Sequence, residues 1–332
     1  MTSKAAWIAG ILIAAFIAVI VVKALVFPSP TEPTSATRKS GFMDLIEMEA
    51  PITDILDRTP QGPGNAGDDY SRAVAAYHDN EQIIPKPTPA VKASITIMNE
   101  DAVDAMTEIY RHVSAGAAKK NMKYLAVHTP GKLRVSPYLK EVTPLLRAAE
   151  SVDLLARHLL ANNRRKQAEA IHKDLLIMGR HMVNARSHLD MVNSGTLIQF
   201  DAMQGLVRAY YSMETKDKNF NKRRLAALRE YFAALNNFDR RYGTKLEVLW
   251  KVRPNPGDVF NIARNDKDHA WRVQAILCMG ILRYTASNRS DTRRNNEMIE
   301  KYLNSSDPLE AAAAKAAKEL SEADFNQLAT AQ

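Results

Sequence analysis

Apolar residues along this chain recur mostly at steps of three and four, the period of a helix with one buried face. The clearest run lies between Pro137 and Val192. Leu145, Ala149, Val152, Ala156 and Leu159 mark one helix. After the polar turn "ANNRR", Ala168, Ile171, Leu175, Met178, Met182, Ala185, Leu189 and Val192 mark a second, in alternating threes and fours. Two such helices across a short turn predict an αα-hairpin, and the spacing carries the second one unbroken to Val192. Further helices are predicted over "TLIQFDAMQGLVRAYYSM" and over "RRLAALREYFAALNNFDRRY" running towards "KLEVLWKV".

Upstream the pattern is more broken. Phe42, Leu45, Ile46, Ile52, Ile55 and Leu56 suit a short amphipathic helix or a pair of them. The Pro/Gly stretch 60–67 interrupts the chain. Asp68 or Asp69 is then the expected cap of a helix carrying Tyr70, Ala73, Val74 and Tyr77. "IIPKPTPAVK" reads as a proline-rich connector, and Asn99 as the N-cap of a helix with acids in its first turn.

Residues 5–27 are apolar except for Lys23. At a rise of about 1.5 Å per residue they match the ~30 Å hydrocarbon core of a bilayer. They are longer than the apolar region of a cleaved signal peptide, so the expectation is an uncleaved single-pass transmembrane helix. The large domain is then expected on the outer, periplasmic or extracellular side. Residues 28–40 carry three prolines and several Ser and Thr, the composition of a semi-rigid tether. The expected fold class is all-α: an N-terminal single transmembrane helix, then an α-solenoid-like array of antiparallel helix hairpins. The expected division is 1–27 anchor, 28–40 tether, 41–135 N-terminal helical region, 136–265 hairpin array and 266–332 C-terminal repeats.

Composition supports the helical part. Only 13 of 332 residues are Gly, and Ala, Leu, Met, Lys, Arg and Glu dominate, the good helix formers. The net charge of +8 suits an acidic partner, either acidic lipid or acidic protein. A membrane tether and few clustered aromatics point away from nucleic acid. The single cysteine, Cys278, sits inside "WRVQAILCMGIL" and reads as a small core residue rather than a nucleophile.

The C-terminal third repeats itself. "DHAWRVQAILCMGIL" places Asp268, Arg272, Ala275, Met279, Gly280 and Leu282 in the order D-x3-R-x2-A-x3-(L/M)-G-x-L, and "DPLEAAAAKAAKEL" begins again at Asp307. Asp307 follows Asp268 by 39 residues, close to the ~40-residue HEAT period. This resembles HEAT repeats, although the second copy has Ala311 where the arginine belongs. The 156–180 stretch is more faintly similar to a tetratricopeptide unit. The order "GPGNAGDDYSRAV", then "LLARHLLANNRRKQAEAIHKDLLIMGRHM", then "GTLIQFDAMQGLVRAY" resembles a group of membrane-anchored or exported bacterial helical proteins with no assigned activity. These resemblances imply architecture, not a reaction.

Four residues are candidates for chemistry. Glu169 and His172 stand in the Glu-x-x-His spacing of di-iron bundles, but such a site needs a second copy and two further glutamates. "EIYRH" spaces Glu108 and His112 at i, i+4 instead. With Ala168, Ile171 and Leu175 as the inward seam, Glu169 and His172 are expected at the boundary or surface. His181 and His188, with Asp190 nearby, are expected on one helix face, two turns or ~10 Å apart, too far to chelate one ion unaided. The chain has no Cys-x-x-Cys, His-Glu-x-x-His, phosphate-cradling glycine loop or Gly-x-Ser-x-Gly elbow. No catalytic, cofactor-binding or metal-ligating residue is therefore assigned. Basic clusters occur at Arg164, Arg165 and Lys166; at Lys216, Lys218, Lys222, Arg223 and Arg224; at Arg240 and Arg241; and at Arg289, Arg293 and Arg294.

The sequence thus points to a membrane-anchored helical scaffold or protein-interaction module without catalysis of its own, binding a protein partner. The alternatives are a helical metal-dependent enzyme using Glu169, His172, His181 and His188, or a subunit of an envelope assembly.

Overall fold

The computed structural model describes residues 52, 55–56, 59–88, 91, 98–123, 143–187, 189–213, 218–249 and 254–330. These are mostly helical, with one small sheet. Strand β1 (Gly62–Asn65) pairs in parallel with β2 (Lys119–Asn121). Between them run α1 (Ala66–Asn80) and α2 (Glu100–Ala117). Then come α3 (Thr143–Ala161), α4 (Arg165–Ala185), α5 (Leu189–Ser212) and α6 (Lys218–Leu249). The chain continues through α7 (Pro256–Asn265), α8 (His269–Thr285), α9 (Arg289–Leu303), α10 (Pro308–Glu319) and α11 (Glu322–Thr330).

The helix starts follow side-chain chemistry. Asn65, Asn99, Asn255, Asp268, Asn288 and Asp307 each cap a helix by accepting a backbone N–H from its first turn, which satisfies donors that have no intrahelical partner. Asn99 is the cap expected there. Asp68 and Asp69 are not caps: Asn65 takes that role, and α1 begins earlier, at Ala66. Asp268 and Asp307, the aspartates of the 39-residue spacing, cap α8 and α10.

Helix α4 is the hub. It packs against α2, α3 and α5, and every residue from Ile171 to Gly179 is buried. The apolar positions expected of α3, from Leu145 to Leu159, are buried as well. Helices α4 and α5 are antiparallel and come very close where two glycines face each other. A Cβ on Gly179 would lie 2.6 Å from the carbonyl oxygen of Gly195, and one on Gly195 would lie 2.6 Å from that of Gly179.

The C-terminal helices stack on one another through α8. Trp271, Ala275, Ile276, Met279 and Leu282 are buried, and α8 packs against α7, α9 and α10. Long polar side chains tie the stack together. Tyr302 donates to the carbonyl of Ala263 at 2.7 Å, Asn295 to that of Met279 at 3.0 Å, and Tyr284 to that of Leu320 at 2.7 Å. Arg272 bonds Glu310 at 3.0 Å. Tyr242 of α6 packs on Trp271 with ring centroids 5.1 Å apart.

Three expectations are corrected. The fold class included a transmembrane helix, but among the described residues no helix is long and apolar enough to cross a membrane. Helix α6, the longest, carries eight Lys and Arg residues. Residues 5–27, which carried the expectation, and the tether 28–40 lie outside the described residues, as do 41–50. Second, the chain is not purely helical, because the Pro/Gly stretch forms β1. Third, the helix from Arg165 does not reach Val192. It ends at Ala185, and Arg186 adopts a left-handed conformation with φ 45°. Leu189 and Val192 are buried, but on α5. The turn conserves the three-four spacing, so periodicity alone cannot register it.

Candidate functional site

Helix α4 offers two sets of polar side chains, one inward and one outward. Inward, His172 is completely buried. Its ring lies against the backbone of Gly205 on α5, where a side chain would overlap Cε1, Nε2 and Nδ1. Nδ1 stands 3.7 Å from Oδ1 of Asp153 on α3, beyond hydrogen-bond reach. Neither ring nitrogen has a hydrogen-bond partner. The other Asp153 oxygen accepts from Arg157 Nε at 2.6 Å, a buried pair one turn apart. Burial pushes the His172 pKa down to about 4; the cations of Arg157 and Arg208 add to this while Asp153 opposes it. The imidazole is neutral at pH 7 and sealed from solvent. The expectation of a boundary or surface His172 is therefore overturned, because the apolar seam is wide enough at this level to include it.

Outward, Glu169 is at the boundary, as expected, with its side chain 14% exposed. It receives Lys173 Nζ at 2.6 Å and the Tyr210 hydroxyl at 3.0 Å. One turn on, buried Asp174 accepts from the Tyr110 hydroxyl of α2 at 3.1 Å. Glu169, Lys173, Asp174 and Tyr110 line a cleft of about 250 Å³ with Lys166, Ser114, Leu56 and Ile177. A smaller cleft of about 150 Å³ continues past Leu56 and Ile177, lined by Lys120, Arg180, His181 and Asn184. Leu56 lies between the two, in a small apolar cluster with Ala117 and Ile177. The chain here is fastened by Arg224 of α6, which donates to the Ile55 carbonyl at 2.6 Å.

His181 is a structural joint. Its Nδ1 meets the Tyr70 hydroxyl of α1 at 2.9 Å, and the backbone of Lys119 and Lys120 in β2 acts electrostatically on its ring. Burial lowers its pKa to about 4, against the opposing effect of that backbone. Tyr70 is raised well above its ordinary value by burial first, then by the charges of Asp174 and Asp69. His188 lies outside the described residues, and the helix expected to join it to His181 ends three residues earlier. The structure thus sends Glu169, His172 and His181 into three separate surroundings. Among the described residues no group of three or more His, Cys, Asp or Glu is placed to hold a metal ion. Glu108 and His112 do meet, at 3.3 Å, on the surface of α2.

The remaining candidates are dispersed. Cys278 is buried, its pKa pushed up to about 12 by burial, which removes it as a nucleophile at neutral pH. Arg165 reaches Asn163 at the α3–α4 turn, Arg293 pairs with Glu297 at 3.4 Å, and Arg294 covers the Phe260 ring. Lys216 and the Lys218 side chain lie outside the described residues. Several buried charges pair across long sequence separations. Asp69 pairs with Lys119. Asp268, fully buried, accepts from Arg186 at 2.5 Å and from the Tyr242 hydroxyl at 3.1 Å. Asp153–Arg157, at i, i+4, is instead a local pair.

No protein-family model matches the chain, and neither a curated protein nor a solved structure matches it.

Proposed function

We propose that this protein is a helical scaffold that binds a segment of another protein in the cleft along α4. The carrying observation is the state of the groups lining it. Glu169 is held by Lys173 and Tyr210, and Asp174 by Tyr110, so the carboxylates are structural partners rather than poised acids or bases. A catalytic group needs a pKa tuned to its task and access to substrate. The histidines with lowered pKa values, His172 and His181, are instead buried and serve the packing. What the cleft presents outwards is Lys166 and Ala170, beside a floor of apolar and fixed polar side chains. Antiparallel helices stacked in this way give extended surfaces suited to binding.

A photocrosslinking amino acid at Ala170 tests the reading in cells that express the full-length protein. A discrete crosslinked protein is expected from position 170, and the Lys166→Glu change should reduce it. The reading fails if position 170 gives no crosslink, or gives the same products as a remote exposed position such as Lys315.

A further inference from the structure

Helix α6 presents a second surface, independent of the cleft. Its inward face is closed: Leu228, Tyr231, Leu235, Phe238 and Tyr242 are all buried. Its outward face follows the opposite stripe. Lys222, Ala226, Arg229, Ala233, Asn237 and Arg240 recur at steps of three and four, and all six are exposed. The stripe runs from Lys222 to Arg240, about 27 Å of helix. It contains three cations and no acid. At 3.6 residues per turn, the exposed acids Glu230 and Asp239 fall on its flanks, where Arg223 and Arg241 add positive charge. The whole helix carries eight lysines and arginines against three acids, in a chain whose net charge is +8.

The residues between the cations decide what kind of anion fits. They are alanines and an asparagine. Small side chains allow another helix axis to approach to about 8–10 Å, and a three-four seam is the one a partner helix reads. A helix that lies in a bilayer surface instead buries Trp, Phe or Leu among its cations. This stripe has no large apolar side chain to insert. We propose that the outer face of α6 docks an acidic helix of a partner protein, whose carboxylates recur at seven and then eleven residues to meet Lys222, Arg229 and Arg240.

Full-length protein and synthetic peptides test this by fluorescence anisotropy. One helical peptide carries Glu at the seven- and eleven-residue spacing on an Ala/Asn face. A second has the same composition with the acids distributed around the helix. The K222E/R229E/R240E variant should bind the first peptide at least about tenfold more weakly, as expected for loss of complementary charge at an interface. The R289E/R293E/K315E variant, which changes net charge equally on other exposed helices, should bind within about twofold of wild type, since rim charges elsewhere contribute little. The permuted peptide should bind weakly to all of them. If the triple reversal lowers the melting temperature, K222Q/R229Q replaces it and should still weaken binding. Equal loss in both reversed variants, equal binding of the two peptides, or no binding of the first would overturn the proposal. So would binding to phosphatidylserine vesicles that is lost with the α6 reversal while peptide binding is not.

Discussion

Replacing Gly205 with alanine places one methyl group where the His172 ring already sits. Elsewhere on an exposed helix this change would stabilise by about 1 kcal/mol, because Ala is the better helix former. Here the ring must move, and it is fully buried among α3, α4 and α5 with no solvent to move into. Overpacking of this kind costs typically about 1–3 kcal/mol and occasionally more. Taking the upper end and subtracting the propensity gain leaves a loss of about 2 kcal/mol. For a unit spanning Met43–Gln332 that corresponds to a fall in Tm of roughly 3–4 °C. Changing His172 to Ala removes the obstruction at the cost of a cavity, again about 2 kcal/mol. If the ring is the cause, the two changes interact: the double variant should recover at least about 1 kcal/mol relative to the sum of the single losses. Urea unfolding of the four proteins, followed by circular dichroism, measures the cycle. Strictly additive losses, or a Gly205→Ala variant more stable than wild type, would refute the described contact.

His172 and His181 titrate near 4 in the fold against an ordinary value of 6.5, so the unfolded chain takes up their protons first. Their contribution is whole above about pH 6.5 and is lost as pH falls towards 4, on the order of 2 kcal/mol per histidine by pH 5; His172→Gln and His181→Gln should each flatten that slope in urea midpoints measured across pH. Arg186→Ala leaves the buried Asp268 carboxylate without its cation, so a loss of about 3–5 kcal/mol is expected from thermal unfolding. Asp307→Ala removes the two hydrogen bonds that start α10 and the 3.0 Å contact with His269; a cost of about 0.5–2 kcal/mol is expected, with faster proteolysis after residue 303. Cys278 should resist maleimide labelling in the native protein and react only as fast as the chain unfolds; rapid native labelling would contradict its burial.

The elements that sequence reading located are those whose cause is local. The buried face of α3 follows from Leu145 to Leu159, the start of α2 from Asn99, and the buried stripe of α8 from Trp271 to Leu282. The misplaced features depend on contacts distant in sequence. Arg186 ends α4, and its partner is Asp268, 82 positions away. The Pro/Gly stretch becomes a strand only because Lys119–Asn121 lies alongside it. The candidate site shows the same division. The sequence places Glu169 and His172 as a polar pair on the hub helix. Their opposite fates were set by neighbours on α5, Tyr210 reaching out to one and Gly205 making room for the other.

Because β1 and β2 run parallel, they meet only after α1 and α2 have bridged the distance between them. The side chain of Asn65 extends this pairing by one rung: its Oδ1 accepts from the Lys123 N–H at 2.6 Å and its Nδ2 donates to the Lys123 carbonyl at 2.7 Å. The partners are 58 positions apart, a span whose closure entropy must be met before the bonds form. The antiparallel α4–α5 pair, by contrast, needs only a tight turn. Assembly is therefore expected to run outward from the hub, with the latch at Asn65 closing late. In the native state it should also be an early site of opening, with the amides of 62–65 and 119–123 exchanging their hydrogens together while those of α4 stay protected.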